Sequence, residues 1–246
     1  MNAPLPLPSD HHRQSESGNV IFFILLAIVL IGLVTAAIRS SGTDGANIDS
    51  ETLLIRATEI KQYAQELERG VTYIMQNGAS ESDIRFAHPD ANSDYGDIND
   101  TTSFQVFHRN GGGASYRTPA NGVQVAVESW EFYGNTHAPY IGSNASPQAD
   151  LIAVLPNVTA AMCDKINEMN GFDTSTQPID TGVGNNCVKS SDSARFDDTT
   201  QFAAIPNEKD DSTFLDSTTG AEKPAPQACV LCDDGTRNLY HVLYAR

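Results

Sequence analysis

Residues 20–38 have the sequence VIFFILLAIVLIGLVTAAI, which contains no charged residue. Fourteen of these nineteen residues are Val, Ile, Leu or Phe, and the stretch lacks the polar stripe of a surface helix. At about 1.5 Å of rise per residue, the stretch would form a helix of roughly 28 Å, close to the thickness of the hydrocarbon core of a bilayer. The sequence therefore predicts an N-terminal transmembrane helix over residues 19–39.

The residues that flank this stretch indicate its orientation. Arg13 precedes it together with two histidines, Arg39 follows it, and the chain then continues into acidic residues such as Asp44 and Asp49. Positively charged flanks tend to stay in the cytoplasm. We therefore expect a single-pass protein with a cytoplasmic N-terminus and an exported C-terminal part.

The composition around the apolar stretch predicts the domain organisation. Residues 1–18 are polar and rich in proline, which is typical of a leader or a cytoplasmic tail. Residues 40–49 include Gly42 and Gly45 among short polar side chains, a composition that favours turns and predicts a hinge. We expect residues 50–246 to form one exported globular domain.

The formal net charge of the chain is −16. Such a chain is repelled by phosphate backbones, so the charge excludes nucleic acid as a partner. No cluster of basic residues is present that could bind anionic headgroups. Contact with membrane lipid is therefore expected through the apolar helix alone.

An amphipathic helix is predicted after Asp49 or Ser50, either of which can cap its N-terminus. Its apolar residues recur with the three-four spacing that places them on one face. They are Leu53, Ala57, Ile60, Ala64, Leu67, Val71 and Ile74. Asn77-Gly78 is suited to end the helix. We expect this face to pack on a sheet, and a dimeric coiled coil is the alternative.

The rest of the chain predicts strands and a second helix. Residues 103–109 and 122–133 alternate as strands do, and Asn110-Gly111-Gly112-Gly113 forms a turn between them, which predicts an antiparallel hairpin. Further elements are a strand at 151–155, a helix at 158–169, a long loop region with a short strand or two at 172–226, and a last strand at 238–244. The fold class is therefore α+β, with an amphipathic helix packed on an antiparallel sheet, long loops and a disulfide-bearing C-terminal region.

The four cysteines are Cys163, Cys187, Cys229 and Cys232, all in the part expected to be exported. An even number in an exported domain indicates disulfides, and the spacing allows three pairings. We favour Cys163 with Cys187 and Cys229 with Cys232.

Two other functions are possible for cysteines in this pattern. The spacing of Cys229 and Cys232 is that of a thiol-disulfide redox pair, but Asp233 and Asp234 follow it, and their negative charge disfavours a reactive thiolate. A structural zinc site normally presents two tight pairs of ligands, and Cys163 and Cys187 are 24 positions apart. Structural disulfides are the preferred interpretation.

Asp90, Asn92 and Asp94 place oxygen ligands at alternating positions, as a calcium loop does. Tyr95 stands where the EF-hand pattern has glycine, and Thr101 stands where it has a bidentate glutamate. A solvated acidic turn is preferred, and calcium is kept as a weak candidate. We expect no other metal or cofactor.

No catalytic motif of a known class is present. The chain contains no G-x-S-x-G, no H-E-x-x-H, no nucleotide-binding loop and no dinucleotide fingerprint. His137 and His241 are interpreted as surface or strand residues. The protein is therefore expected not to be an enzyme.

A polar leader that ends in glycine before an apolar helix resembles the N-terminus of type IV pilins and pseudopilins. The matching residues are Gly18, Asn19 and the apolar stretch 20–38. The resemblance implies that a prepilin peptidase cuts between Gly18 and Asn19. It also implies that the apolar helix packs against other pilin-like subunits, while the globular domain faces outward.

Two residues depart from the pattern of this family. Asn19 stands where the family usually has phenylalanine or methionine, and Phe23 stands where it has glutamate at the fifth mature position. That glutamate neutralises the terminal amine of a neighbouring subunit inside an apolar interior, where an unpaired charge is costly. The departures point to a minor or tip subunit, since some minor pseudopilins also lack the glutamate.

The expected function is therefore that of a pilin-like or minor pseudopilin-like single-span structural component of a bacterial filament or secretion apparatus. Its expected location is the bacterial inner membrane, with the C-terminal domain in the periplasm or outside the cell. One alternative is an uncleaved, membrane-anchored periplasmic binding or sensor domain. Another is a secretory signal cleaved at Val34-Thr35-Ala36.

Overall fold

The computed structural model describes residues 22–31, 43–142, 148–175, 178–180, 187–208 and 213–246. The chain divides into two compact units, Met1–Ser50 and Glu51–Arg246. The α-helices in the described part are α1 (residues 22–31), α2 (Thr43–Gln76) and α3 (Ala160–Met169). The strands are β1 (Glu131–His137), β2 (Asp150–Leu155), β3 (Ile179–Asp180), β4 (Phe202–Glu208), β5 (Gln227–Cys232) and β6 (Arg237–Tyr244).

The six strands form one mixed sheet in the order β3-β5-β6-β2-β1-β4. The central pairs are antiparallel, whereas β4 runs parallel to β1 and β3 runs parallel to β5. The prediction of an antiparallel sheet was therefore wrong at both edges. Both edge strands come from the region 172–226, whose weak periodicity gave no direction, and its long connections allow parallel pairing.

The apolar face of α2 is buried, as the sequence predicted. Ala57, Ile60, Ala64, Leu67, Val71 and Ile74 are all at most 6% exposed. Most of these residues share one core cluster with the sheet residues Phe132, Leu151 and Leu155. The face is thus used within the globular unit, which contradicts the coiled-coil alternative.

A second core cluster lies on the other face of the sheet. Sheet residues such as Ile152, Val154 and Tyr240 pack there against Phe172 and Phe214 from the loop regions. All six residues of β2 are buried. The sheet is therefore covered on both faces, by helices on one and by loops on the other.

The predicted transmembrane helix was wrong. Within the described residues, no helix combines the length and the apolar character that are needed to cross a membrane. At about 1.5 Å per residue, α1 reaches only about 15 Å, and α2 has 34 residues but carries charged side chains such as Glu59, Lys61 and Glu66. Residues 19–21 and 32–39 of the predicted span lie outside the described part of the chain.

The predicted hairpin of residues 103–109 and 122–133 was also wrong. Residues 103–109 form turns, and of the second segment only 131–133 belong to a strand. Val123 is buried, but Val125 is 81% exposed and Val127 is 75% exposed. The backbone here makes an isolated antiparallel bridge between Gln124 and Val158, and the side-chain amide of Gln124 donates to the carbonyl oxygens of Glu128 and Pro156.

Other predicted elements were confirmed with small shifts. The strand at 151–155 is β2, the helix at 158–169 is α3, and the last strand is β6. The region 172–226 contains β3 and β4, as a short strand or two was expected. Asn77-Gly78 ends α2, with a φ of 93° at Gly78.

Two boundaries differ from prediction. The helix α2 begins at Thr43 instead of Asp49 or Ser50, so Gly45 lies within the helix and not in a break. The strand β5 was not predicted, because residues 229–232 were interpreted only through the spacing of their two cysteines.

A glycine contact joins α2 to the turn at 110–113. A Cβ atom added at Gly112 would lie 2.7 Å from the carbonyl oxygen of Val106 and 3.0 Å from Cα of Gly70 on α2. The same Val106 oxygen accepts a hydrogen bond from the amide of Ala114 at 3.0 Å. Only glycine fits at position 112 without displacing the turn from the helix.

We expect Gly112→Ala to lower the free energy of unfolding by about 1 to 3 kcal/mol, because the added methyl group overpacks this contact. Equilibrium urea denaturation of the oxidised protein measures the change. The control is Asn110→Ala in the same turn, where the side chain is exposed and the change should stay within about 0.5 kcal/mol. Equal decreases in the free energy of unfolding of the two variants would show that close packing of Gly112 against α2 is not the cause.

Candidate functional site

The helix α1 exposes a continuous apolar surface. Its large hydrophobic side chains are each between 43% and 65% exposed in the isolated chain, namely Phe22, Phe23, Ile24, Leu25, Leu26, Ile28, Val29, Leu30 and Ile31. Single exposed hydrophobic residues are common, but a contiguous patch marks an interaction surface. The surface of α1 is therefore the first candidate site.

The predicted processing site cannot be placed beside this helix. Gly18 and Asn19 lie outside the described residues. Phe23 does lie in α1 and presents an aromatic ring at 59% exposure, at the position where the predicted resemblance to pilins would place a glutamate. The surface of α1 therefore carries no acidic group between residues 22 and 31.

The disulfides join Cys163 to Cys229 and Cys187 to Cys232, so the favoured pairing was wrong. Side chains alternate between the two faces of a strand, and residues three positions apart therefore point to opposite faces. Cys229 and Cys232 both lie in β5. The two cannot bond to each other while the strand is intact, and each bonds on its own side of the sheet.

The two disulfides fasten different layers to β5. Cys229 faces α3 and belongs to the core cluster of the helices, whereas Cys232 belongs to the cluster on the opposite face. The closed segments have sequence separations of 66 and 45 residues. Each bond lowers the entropy of the unfolded chain by closing a loop, which stabilises the folded state by about 4 kcal/mol relative to a chain without that bond. The placement of one disulfide on each face of the sheet supports a structural role for both bonds.

The weak calcium candidate is not arranged as a metal loop. The carboxylate of Asp94 accepts a hydrogen bond from Arg195 at 2.6 Å, and Asn92 Oδ1 accepts one from the amide of Asp94. The side chain of Asp90 is 74% exposed and lies 3.7 Å from Nδ1 of His88. Within the described residues, no three acidic, histidine or cysteine side chains are grouped to hold a metal ion.

A charge cluster surrounds the buried Arg195, and sequence reasoning missed it. Its guanidinium is 7% exposed and donates to Glu131 at 3.2 Å and to Asp192 at 2.7 Å, besides Asp94. The hydroxyl of Tyr133 donates to the second oxygen of Glu131. Burial and the charge of Glu131 raise the pKa of Tyr133, so this hydroxyl stays protonated.

The Arg195 cluster connects segments that are far apart in the sequence. It ties β1 to a 3-10 helix at Asp192–Ala194 and to another at Ser93–Tyr95. The oxygens of Glu131 are occupied by Arg195 and Tyr133. The arrangement positions these loops on the sheet.

His137 lies in β1 and His241 lies in β6. Of the two interpretations of the sequence, surface or strand, the strand interpretation is therefore correct. His137 Nδ1 is 3.1 Å from the carbonyl oxygen of Gln148 and 3.6 Å from the carboxylate of Asp150. Burial raises the pKa of Asp150, although its carboxylate accepts hydrogen bonds from the amides of Ala138 and Arg246. These contacts join β1, β2 and the C-terminal residue.

His241 connects β6 to α2. Its Nε2 lies 3.1 Å from the carboxylate of Glu68. That hydrogen bond lowers the pKa of Glu68. The pair therefore helps to hold α2 on the sheet.

We expect disulfide mapping to recover the pairs Cys163–Cys229 and Cys187–Cys232. Chymotrypsin digestion of the denatured, unreduced protein can separate Cys229 from Cys232 at Leu231, so each linked peptide is distinguishable by mass. Because β5 directs the two cysteines to opposite faces, no peptide linking Cys229 to Cys232 is expected. Its recovery as the main product would contradict the structure.

We expect Arg195→Ala to lower the free energy of unfolding by about 3 to 5 kcal/mol, because it leaves the buried carboxylate of Glu131 without its cationic partner. Urea denaturation measures the loss. The control is Arg109→Ala, since Arg109 is exposed and its removal should change stability by less than about 0.5 kcal/mol. A similar small change at Arg195 would show that the cluster is not stabilising.

Comparison with protein-family models, with curated proteins and with solved structures found no match to this chain. The resemblance at Gly18 and Asn19 therefore stays a prediction from the sequence. The apolar surface of α1 and the two disulfides are the features on which a functional proposal can be built.

Proposed function

We propose that this chain is a pilin-like structural subunit of a bacterial filament or secretion apparatus. The apolar helix α1 is its assembly surface and packs against the corresponding helices of neighbouring subunits. The observation that carries the proposal is the exposure of every large hydrophobic side chain of α1, from 43% to 65%, in the isolated chain.

The free energy available from such assembly is large enough to drive it. Burying one fully exposed large aliphatic or aromatic side chain yields about 1.5 to 3 kcal/mol. Residues such as Leu25, Ile28 and Ile31 already bury part of their surface, so each contributes less than this figure. Several of them together still give a strong, non-directional attraction between like helices.

The disulfides support a location outside the cytoplasm. Structural disulfides persist in oxidising compartments such as the bacterial periplasm and are rare in the cytosol. All four cysteines are paired, and the Cys163–Cys229 bond lies in the core with both residues fully buried. We infer that the unit Glu51–Arg246 folds in the periplasm or outside the cell.

The sequence of α1 further favours a minor or terminal subunit. Inside a filament core, a buried terminal amine needs a carboxylate partner, because an unpaired charge in an apolar environment is costly. Phe23 cannot supply one. A subunit at the tip, or one present in few copies, avoids the repeated burial of unpaired amines.

The test uses an epitope-tagged, full-length chain produced in its native cell, and measures its recovery in sheared filaments. We expect Leu25→Asp to reduce that recovery at least about tenfold, because burying an unpaired carboxylate between apolar helices is costly. The control is Val125→Asp, which changes an exposed aliphatic residue in the globular unit. Its recovery should match that of the unchanged protein.

Mass spectrometry of the same filament fraction gives the N-terminus of the assembled chain. Removal of residues 1–18 by a prepilin peptidase leaves Asn19 as the first residue. An assembled chain that still begins at Met1 rejects the processing step. Equal recovery of the Leu25 and Val125 variants rejects α1 as the assembly surface.

A further inference from the structure

A cavity of about 350 Å³ lies between α2 and the segment 117–123. It lies wholly within the unit Glu51–Arg246. Small-molecule sites commonly have volumes from about 300 to 1,000 Å³. We call it the Arg56 cavity, after the cation on its α2 wall.

The floor of the Arg56 cavity is apolar and aromatic. Trp130 and Tyr63 meet there edge to face, with ring centroids 5.4 Å apart. Ile60 and Val123 complete the floor and are at most 6% exposed. The hydroxyl of Tyr63 accepts a hydrogen bond from the amide of Arg117, and burial raises its pKa, so the floor carries no negative charge.

The rim of the cavity carries two guanidinium groups. Arg56 donates one hydrogen bond to the carbonyl oxygen of Asn121, and among the described residues no carboxylate forms an ion pair with it. Arg117 is paired with Glu66, and its guanidinium carbon lies 5.4 Å from the ring centroid of Tyr63. A guanidinium has five N–H donors, so most donors of Arg56 remain for a ligand.

Among the described residues, Glu59 is the one acidic residue that lines the cavity, against two arginines. Glu66 neutralises Arg117, so the cation that the described carboxylates leave without an ion pair at the rim is Arg56. A cation in this position is not required by the packing of the cavity, since its floor is formed by other residues. Its placement at the mouth of an aromatic cavity is the arrangement that a carboxylate with an apolar body needs.

We propose that the Arg56 cavity binds a small aromatic carboxylate, whose carboxylate contacts Arg56 at the rim and whose ring packs on Trp130 and Val123. The proposal goes beyond the structural function and does not depend on it, because the cavity involves no residue of α1. A subunit with such a site takes up a small ligand on its globular unit.

Trp130 makes the site directly observable, because it is the single tryptophan of the chain. The test follows Trp130 fluorescence of the full-length protein, purified in a non-ionic detergent, during titration with phenylacetate. We expect a saturable change with a dissociation constant on the order of 1 mM, as is usual for ligands of this size. Acetate, which lacks the ring, and benzylamine, which carries the opposite charge, should give no saturable change.

Variants separate this site from general electrostatic attraction. We expect Arg56→Gln to weaken phenylacetate binding by about tenfold, since a charge-assisted hydrogen bond is lost. The matched control is Arg109→Gln, which removes an exposed arginine outside the cavity and should leave binding unchanged. An unchanged thermal midpoint in both variants shows that both are folded.

Three results would overturn the proposal. The first is the absence of a saturable Trp130 response to phenylacetate, and the second is equal binding of benzylamine. The third is equal weakening by Arg56→Gln and Arg109→Gln. None of these results affects the recovery of the chain in filaments, so a failure here is distinguishable from a failure of the proposed function.

Discussion

The strand β5 is the element on which the globular unit depends, because it is fastened on both faces of the sheet. Cys229 binds α3 on one face and Cys232 binds the segment at Cys187 on the other. Each face is covered by its own core cluster. Loops cover one of these faces. Loops rarely bury enough apolar surface to stay in place alone. A covalent bond on that face therefore offsets the conformational entropy that is lost when the loops become ordered.

The strongly periodic parts of this fold were predictable from the sequence. The stripe of α2 repeats with the helical period, and residues 151–155 of β2 form a continuous apolar run; the structure follows both patterns. The valines at 123, 125 and 127 have the period of a strand as well, yet two of them are exposed. Gln124 makes an isolated bridge to Val158 and its side chain donates to the carbonyl oxygen of Pro156, contacts that periodicity alone does not predict.

The disulfide pairing shows how a missed element propagates into a wrong contact. The two cysteines of residues 229–232 are near in sequence, which favoured a local bond. Once β5 is recognised as a strand, alternation alone excludes that bond. Val230 and Leu231 are suited to a strand, so the sequence does contain the signal for β5 beside the spacing motif of the two cysteines.

The Arg195 cluster could not have been predicted from one sequence. It joins Asp94, Glu131 and Arg195, whose separations follow no pattern. Within this cluster Arg195 donates to the carboxylate of Asp94, one of the three alternating oxygen-bearing residues at 90, 92 and 94. The Arg56 cavity is likewise formed by segments that only tertiary structure brings together.

The charge of the chain and the apolar surface of α1 act in opposite directions during the proposed assembly. Copies with a net charge of −16 repel one another, and the repulsion is screened beyond about 8 Å at physiological salt. The attraction between apolar helices is short-ranged and non-directional. Globular units therefore resist association with one another, and assembly depends on contact between the helices.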